Sequence, residues 1–163
     1  MIEIVPIAPE HISGFNRTLD TVARERRYLS FLEGPSVEVS RAFVLDNIKR
    51  GHSQFVALSE DDQVVGWCDV TPKPRPIYAH GGVLGMGLLP QYRGQGIGKR
   101  LMEATLAASR QIGLHRVELT VREQNVNAIG LYAKVGFFVE GLHRDAIYID
   151  GVYENVICMA ILI

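Results

Sequence analysis

This chain is poor in cysteine, has no excess of positive charge and lacks any long apolar run. Only Cys68 and Cys158 occur in 163 residues. Two thiols with no metal-ligand spacing offer neither a metal centre nor a disulfide-rich scaffold, so no metal is expected. A reduced, cytoplasmic setting is the simplest expectation, with a single disulfide left open. Lys and Arg together number 17 against 18 Asp and Glu, for a formal net charge of −1. That balance lacks the basic surface that nucleic-acid phosphates favour, and no nucleic-acid partner is expected. The longest nearly apolar run, Gly81 to Pro90, is about half a membrane span and is interrupted by glycines, so no membrane partner is expected either. The first ten residues, MIEIVPIAPE, do not place a basic start before an apolar core, so a secretory signal is not expected.

What is present is ordinary for a globular α/β chain: 47% hydrophobic and 21% charged residues. At this length one domain covering 1–163 is expected, burying about two thirds of its unfolded surface. Ile2 to Ile7 alternates as a first strand, and Pro9 suits the first turn of a helix running to about Tyr28. The stretch ARERRYLSFLEGP that follows is either a solvated charged face or one wall of a cleft, with Tyr28, Phe31 and Glu33. A second helix is capped by Ser36 and closed by Gly51, with Val39, Phe43 and Val44 as its apolar stripe. Gln54–Leu58 and Gln63–Val70 read as a hairpin around Ser59–Asp62. The prolines of TPKPRP mark a loop. A strand, a helix from about Gly96 to Ile112 and a strand at Val117, Leu119 and Val121 favour a parallel pair with a right-handed crossover. A short helix spans Asn125 to Lys134. The last thirty residues form an antiparallel pair turned at Asp150-Gly151. A mixed α/β fold follows.

The stretch His80–Arg100, HGGVLGMGLLPQYRGQGIGKR, organises the rest. An apolar strand stopped by Pro90 leads through a glycine-rich turn into a helix. That arrangement aims several N–H groups, and the positive end of a helix, at one spot where an anion belongs. Two common phosphate motifs fail the test. A P-loop needs Gly-Lys-Ser/Thr, but Gly98-Lys99 is followed by Arg100; a dinucleotide G-x-G-x-x-G starting at Gly85 meets Pro90. Arg93-Gly94-Gln95-Gly96-Ile97-Gly98 remains, with glycines free to adopt unusual dihedrals.

This Arg-x-x-Gly-x-Gly pattern, with NVNAIGLYAKVGF about thirty residues later, resembles the GNAT superfamily of N-acetyltransferases. The resemblance covers the chain and is strongest from about Phe55 onwards. The RPIYAH and DGVYENVICMAI segments are most similar to bacterial acetyltransferases of free L-amino acids, with a further likeness to relatives that act on polyamines or ribosomal-protein N-termini. It implies a fold whose parallel central strands splay apart, acetyl-CoA as co-substrate, a small amine as acceptor and a homodimer. Arg93, Gly94, Gln95, Gly96, Gly98 and Lys99 would then wrap the pyrophosphate with main-chain N–H groups. Met86 and Leu88 would lend main-chain groups to the pantetheine arm, with a bulge or close approach at Gly85 and Gly87. Asn125 would contact the pantetheine, a role compatible with capping a helix, and Asn127 has a weaker counterpart.

The resemblance also places Tyr132 near the thioester sulfur, as the general acid. A phenol near pKa 10 can protonate or hydrogen-bond a thiolate leaving group whose acid sits near 8.5. The alternative is a tyrosine that simply packs on the core. A strand N–H near Leu88 suits the developing oxyanion. An α-amino acceptor with pKa near 8 costs about 1.4 kcal/mol to deprotonate at pH 7, against about 4.6 kcal/mol for a lysine-like amine near 10.4. Glu33, Asp69, Glu118 and Asp145 are the carboxylates considered as base. Each reads more simply as a surface or strand-end residue, so no base is assigned. The absence of an acidic cluster disfavours a polycation, and Arg24, Arg26, Arg27 or Arg75 is available for a substrate carboxylate. A binding module without catalysis is the competing class.

Overall fold

Alternating apolar residues become strands of one sheet in the computed structural model, which describes residues 1–163. The strands are β1 (Glu3–Pro6), β2 (Ser53–Leu58), β3 (Val64–Pro72), β4 (Gly81–Leu88), β5 (Arg116–Arg122), β6 (Phe138–Ile149) and β7 (Val152–Leu162). Their spatial order is β1-β2-β3-β4-β5-β7-β6. Every neighbouring pair is antiparallel except β4 with β5, the expected parallel pair. The helix between them is α3 (Ile97–Gln111). Helices α1 (Ile12–Arg24) and α2 (Val37–Arg50) precede the sheet's centre, and α4 (Val126–Val135) follows β5.

The two faces of the sheet carry separate cores. Trp67 of β3 packs with Phe15, Leu19, Val22 and Val44, so α1 and α2 cover its face. Cys68, Val70 and Leu84 pack with Ile97, Leu101, Met102 and Leu106, so α3 covers the opposite face, where Tyr132 of α4 joins them. Leu101 and Met102 are wholly buried, each contributing about 2–3 kcal/mol of transfer free energy. With helices on both faces, β3 is buried from Val64 to Val70 and loses the alternation of a half-exposed strand.

Local chemistry sets the ends. The Ser36 hydroxyl accepts the Val39 N–H, and Gly51 closes α2 in the left-handed region at φ 70°. Asp150 and Gly151 both take positive φ, as the tight hairpin of β6 and β7 requires.

The functional feature is a gap. β4 and β5 pair only between Gly81–Val83 and Arg116–Glu118. Beyond that, β4 stays with β3 as far as Leu88, and β5 stays with β7 as far as Arg122. The two parallel strands therefore splay, as expected.

Three expectations change. The first helix begins with a 3₁₀ turn at Pro9–His11 and ends at Arg24, short of Tyr28. Arg26 sits at φ 59°, which no helix continues, and Glu25 turns aside to meet Arg93. In α2, Val44 is buried but Val39 is mostly exposed, because that end of the helix borders a cavity. No bulge occurs in β4, whose register with β3 is unbroken from Gly82 to Leu88. Gly87 instead makes room for Trp67: a Cβ there would lie 2.4 Å from the indole ring.

Candidate active site

After β4, Pro90–Tyr92 forms a 3₁₀ turn and Gly94 and Gly96 adopt φ of 72° and 78°. These left-handed residues turn the chain into α3, a bend that costs glycine nothing. From Gly94 to Lys99 the main-chain N–H groups have no protein hydrogen-bond partner; the helical ladder starts with Arg100 N–H donating to Gly96 O. Consecutive free donors at a helix N-terminus make an anion cradle. Arg93 is not one of them, since its N–H donates to Pro90 O at 3.2 Å. Its guanidinium instead grips the Leu88 carbonyl at 2.7 and 3.0 Å and Glu25 at 2.6 and 2.9 Å. It also lies over the Tyr28 ring, 4.6 Å from its centroid. The Gln95 amide donates to Gln91 O, and the Lys99 ammonium faces Glu103 at 3.7 Å. Gly98 has an ordinary φ, and its absent side chain lets Leu131, Met86 and Leu88 close around the start of α3.

The orientation of β4 follows from one bond. Leu89 N–H donates to Val65 O, so Gly87 and Gly85, in register with Trp67 and Asp69, direct their main-chain groups at β3. Leu84, Met86 and Leu88 then direct theirs into the gap towards β5. Arg93 occupies the Leu88 carbonyl, leaving the Leu88 N–H and both Met86 groups as the open edge.

A cavity of about 580 Å³ passes through this gap and draws its walls from both faces of the sheet. From the α1–α2 side come Phe15, Trp67, Asp69 and Gly85; from the α3–α4 side come Met86 and Tyr132. The walls are mostly apolar. Tyr132 is buried, packed on Phe137 at 5.8 Å between centroids, and its hydroxyl has no protein partner. Burial, with a smaller contribution from Cys68, raises its pKa, so the phenol stays protonated and can donate.

Asp69 is the surprise. Expected at a surface or strand end, it is 8% exposed, in the wholly buried run of β3. Its carboxyl lies beside Gly85, where a Cβ would stand 3.6 Å from Oδ1. Burial alone pushes its pKa up to about 7. The sequence did carry a signal: an acidic residue inside VVGWCDV, a run apolar on both faces.

The other carboxylates are occupied or outside. Glu118 pairs with Lys73 and Arg116, which together hold its pKa down. Glu33 is exposed near Arg24, and Asp145 lies on the exposed hairpin. Arg24 is committed to Asp20, and Arg26 to Asp150.

A second, polar cavity of about 450 Å³ shares Tyr28 and Arg122 with the first and is lined also by Arg27, Asn125 and Asn127. The Asn125 side chain accepts the Ala128 N–H at 3.2 Å, capping α4 while leaving its amide N–H₂ free. Arg122, overlooked in the sequence because it alternates outward on β5, donates to Arg26 O and Leu29 O at 2.7 and 3.0 Å. It anchors the loop 25–36, of which Tyr28, Leu29, Ser30, Phe31 and Pro35 wall the apolar cavity. Of the three residues expected on a cleft wall, Tyr28 and Phe31 line this cavity and Glu33 does not.

Residues 19–137 match the acetyltransferase (GNAT) family. Among curated proteins, an uncharacterized prophage-derived N-acetyltransferase of Bacillus subtilis is 28% identical over 153 residues, spanning 93% of this chain and 84% of that protein. Of several other curated relatives the chain spans only 26% to 62%. A GNAT-family acetyltransferase from Streptococcus pneumoniae superposes with TM-score 0.92 over all of both chains at 25% identity. A phosphinothricin acetyltransferase from Sinorhizobium meliloti, solved with acetyl-CoA, has the same fold at TM-score 0.92 and 18% identity, covering 99% of this chain and 88% of that one.

Proposed function

This chain belongs to the acetyltransferase (GNAT) family, and we propose that it transfers the acetyl group of acetyl-CoA to the primary amine of a free amino acid, with Tyr132 as the general acid. Acetyl-CoA dependence comes with the family. The carrying observation for the rest is the cavity that runs through the β4–β5 gap, with Tyr132 on its wall.

The residues fit the donor. Free N–H groups from Gly94 to Lys99 suit a diphosphate, and the Met86 edge suits the amides of a pantetheine arm laid along it as a strand. Asn125 offers its free amide beside that arm. The Leu88 N–H is placed for the oxyanion, and Tyr132 gives its proton to the departing sulfur. The thioester itself supplies the activated acyl group, so direct attack by a neutral amine suffices.

The acceptor reading rests on the paired cavities. One is apolar and holds a carboxyl; the other is polar and presents Arg27. An amino acid has an apolar side chain, an ammonium and a carboxylate to match. Purified protein should release CoA thiol from acetyl-CoA with L-methionine or L-phenylalanine in preference to spermidine or a peptide N-terminus. Binding of acetyl-CoA without turnover on any of these would establish a non-catalytic module instead.

We also propose a homodimer. Phe138, Val139, Leu142, Tyr148 and Tyr153 are exposed on the hairpin that forms one edge of the sheet, and a second copy would cover them. Sedimentation should then give twice the 18.1 kDa chain mass. Both cysteines are free thiols, which suits the cytoplasm as its location.

A further inference from the structure

We infer that Asp69 is the group that receives the acceptor's ammonium and removes its proton, acting from the side of the sheet opposite Tyr132, on an acceptor whose remaining bulk is apolar. This rests on the acetyl-transfer reading above.

An ionised carboxylate without a partner costs several kcal/mol to bury, and folds rarely keep one. Asp69 is held in a strand buried on both faces, with no protein hydrogen bond and no counter-charge acting on it. Its partner is therefore sought outside the chain, and the cavity it faces is the only open direction. Across β4 it meets Gly85, and the missing side chain leaves the carboxyl uncovered. Phe15, Leu19, Phe43 and Trp67 share the cavity wall with it, walls that welcome an apolar group, and Asp69 is the one anionic side chain among them.

No other titratable group around the cavity competes. On β3 the Cys68 thiol points to the opposite core, and burial pushes its pKa up. From β5 the Arg122 guanidinium is held by two carbonyls and Glu154. Tyr132 comes from α4 and Tyr28 from the loop; α1, α2, β6 and β7 present only uncharged residues to this cavity.

The chemistry balances. The ammonium gives one proton to the Asp69 carboxylate, and the freed lone pair forms the C–N bond at the thioester carbon. The C–S pair leaves on sulfur, which takes the Tyr132 hydroxyl proton. The surplus nitrogen proton restores the Tyr132 hydroxyl, and Asp69 releases its proton to solvent. The first deprotonation of the amine and the protonation of sulfur thus use different residues, and Tyr132 is reset by the second nitrogen proton.

The test uses the full chain with acetyl-CoA and L-phenylalanine or phenylethylamine. Asp69→Asn should lower kcat/KM at least about 10²-fold and abolish the titration near pH 7 in its pH profile, with acetyl-CoA Kd changed less than threefold. Gly85→Ala, whose methyl fits at 3.6 Å from the carboxyl, should raise the acceptor KM and leave acetyl-CoA binding alone. Asp69→Asn retaining more than a tenth of wild-type kcat/KM with an unchanged pH profile overturns the assignment. A wild type inactive on every amine overturns the acetyl-transfer reading itself, a separable result.

Discussion

Arg93 and Glu25 join the start of the glycine turn before α3 to the end of α1 through a two-pronged ion pair of 2.6 and 2.9 Å. The same guanidinium holds the Leu88 carbonyl and covers Tyr28. One side chain thus fixes the end of β4, the cradle and the loop that walls the cavity. Charged hydrogen bonds of this kind contribute about 1.5–3 kcal/mol. Arg93→Ala should lower stability by about 2 kcal/mol, seen as a Tm fall of about 4–8 °C. Because both halves of the site lean on it, the acetyl-CoA Kd and the acceptor KM should both rise. Arg93→Lys should recover little, since an ammonium cannot serve these acceptors in one plane.

Asp69 also predicts an unusual dependence of stability on pH. Its folded pKa of about 7 lies above the ordinary value of 3.8. The folded state therefore binds a proton that the unfolded state has released between those values, and stability falls as pH rises from about 4 to 7. The full span is at most about 4 kcal/mol. Asp69→Asn removes this dependence. Its Tm should exceed the wild type's more at pH 8 than at pH 5, by thermal unfolding at both values. Equal differences at the two values would show that Asp69 is not held as described.

Much of this architecture was legible beforehand because local rules decided it. Ser36, Gly51 and Asp150-Gly151 ended their elements as their chemistry dictates, and the parallel pair followed from a strand, helix and strand in close order. The turn into α3 was legible for the same reason: alternating glycines before a helix leave few other backbones. What was hidden depended on distant partners. Glu25 leaves its helix to meet Arg93, 68 positions later. Gly87 makes room for Trp67 on the neighbouring strand, and Asp69 is buried beneath helices the local pattern does not mention.

Gly96 tests the cradle directly. It sits at φ 78°, and a Cβ there would touch nothing within 4 Å, so substitution is a pure backbone perturbation. Gly96→Ala should cost about 1–2 kcal/mol of stability as the left-handed conformation is forced on alanine. Any shift of that residue re-aims the N–H groups on either side. Calorimetry should show acetyl-CoA affinity reduced about tenfold or more, with the acceptor KM little changed.

Tyr132→Phe separates the acid from the packing residue. The ring fills the core beside Phe137, and phenylalanine keeps that contact. The hydroxyl has no protein hydrogen bond to lose, so Tm should move by less than about 2 °C. A packing role predicts unchanged turnover. A proton donated to sulfur predicts a kcat loss of about 10²-fold, with the acetyl-CoA Kd within threefold. The leaving group sharpens this further. A thioester whose thiol has a pKa several units lower than that of CoA needs no proton at sulfur, so with that donor the variant should approach wild-type rates. Equal losses with both donors would mean that the hydroxyl orients the thioester and gives no proton.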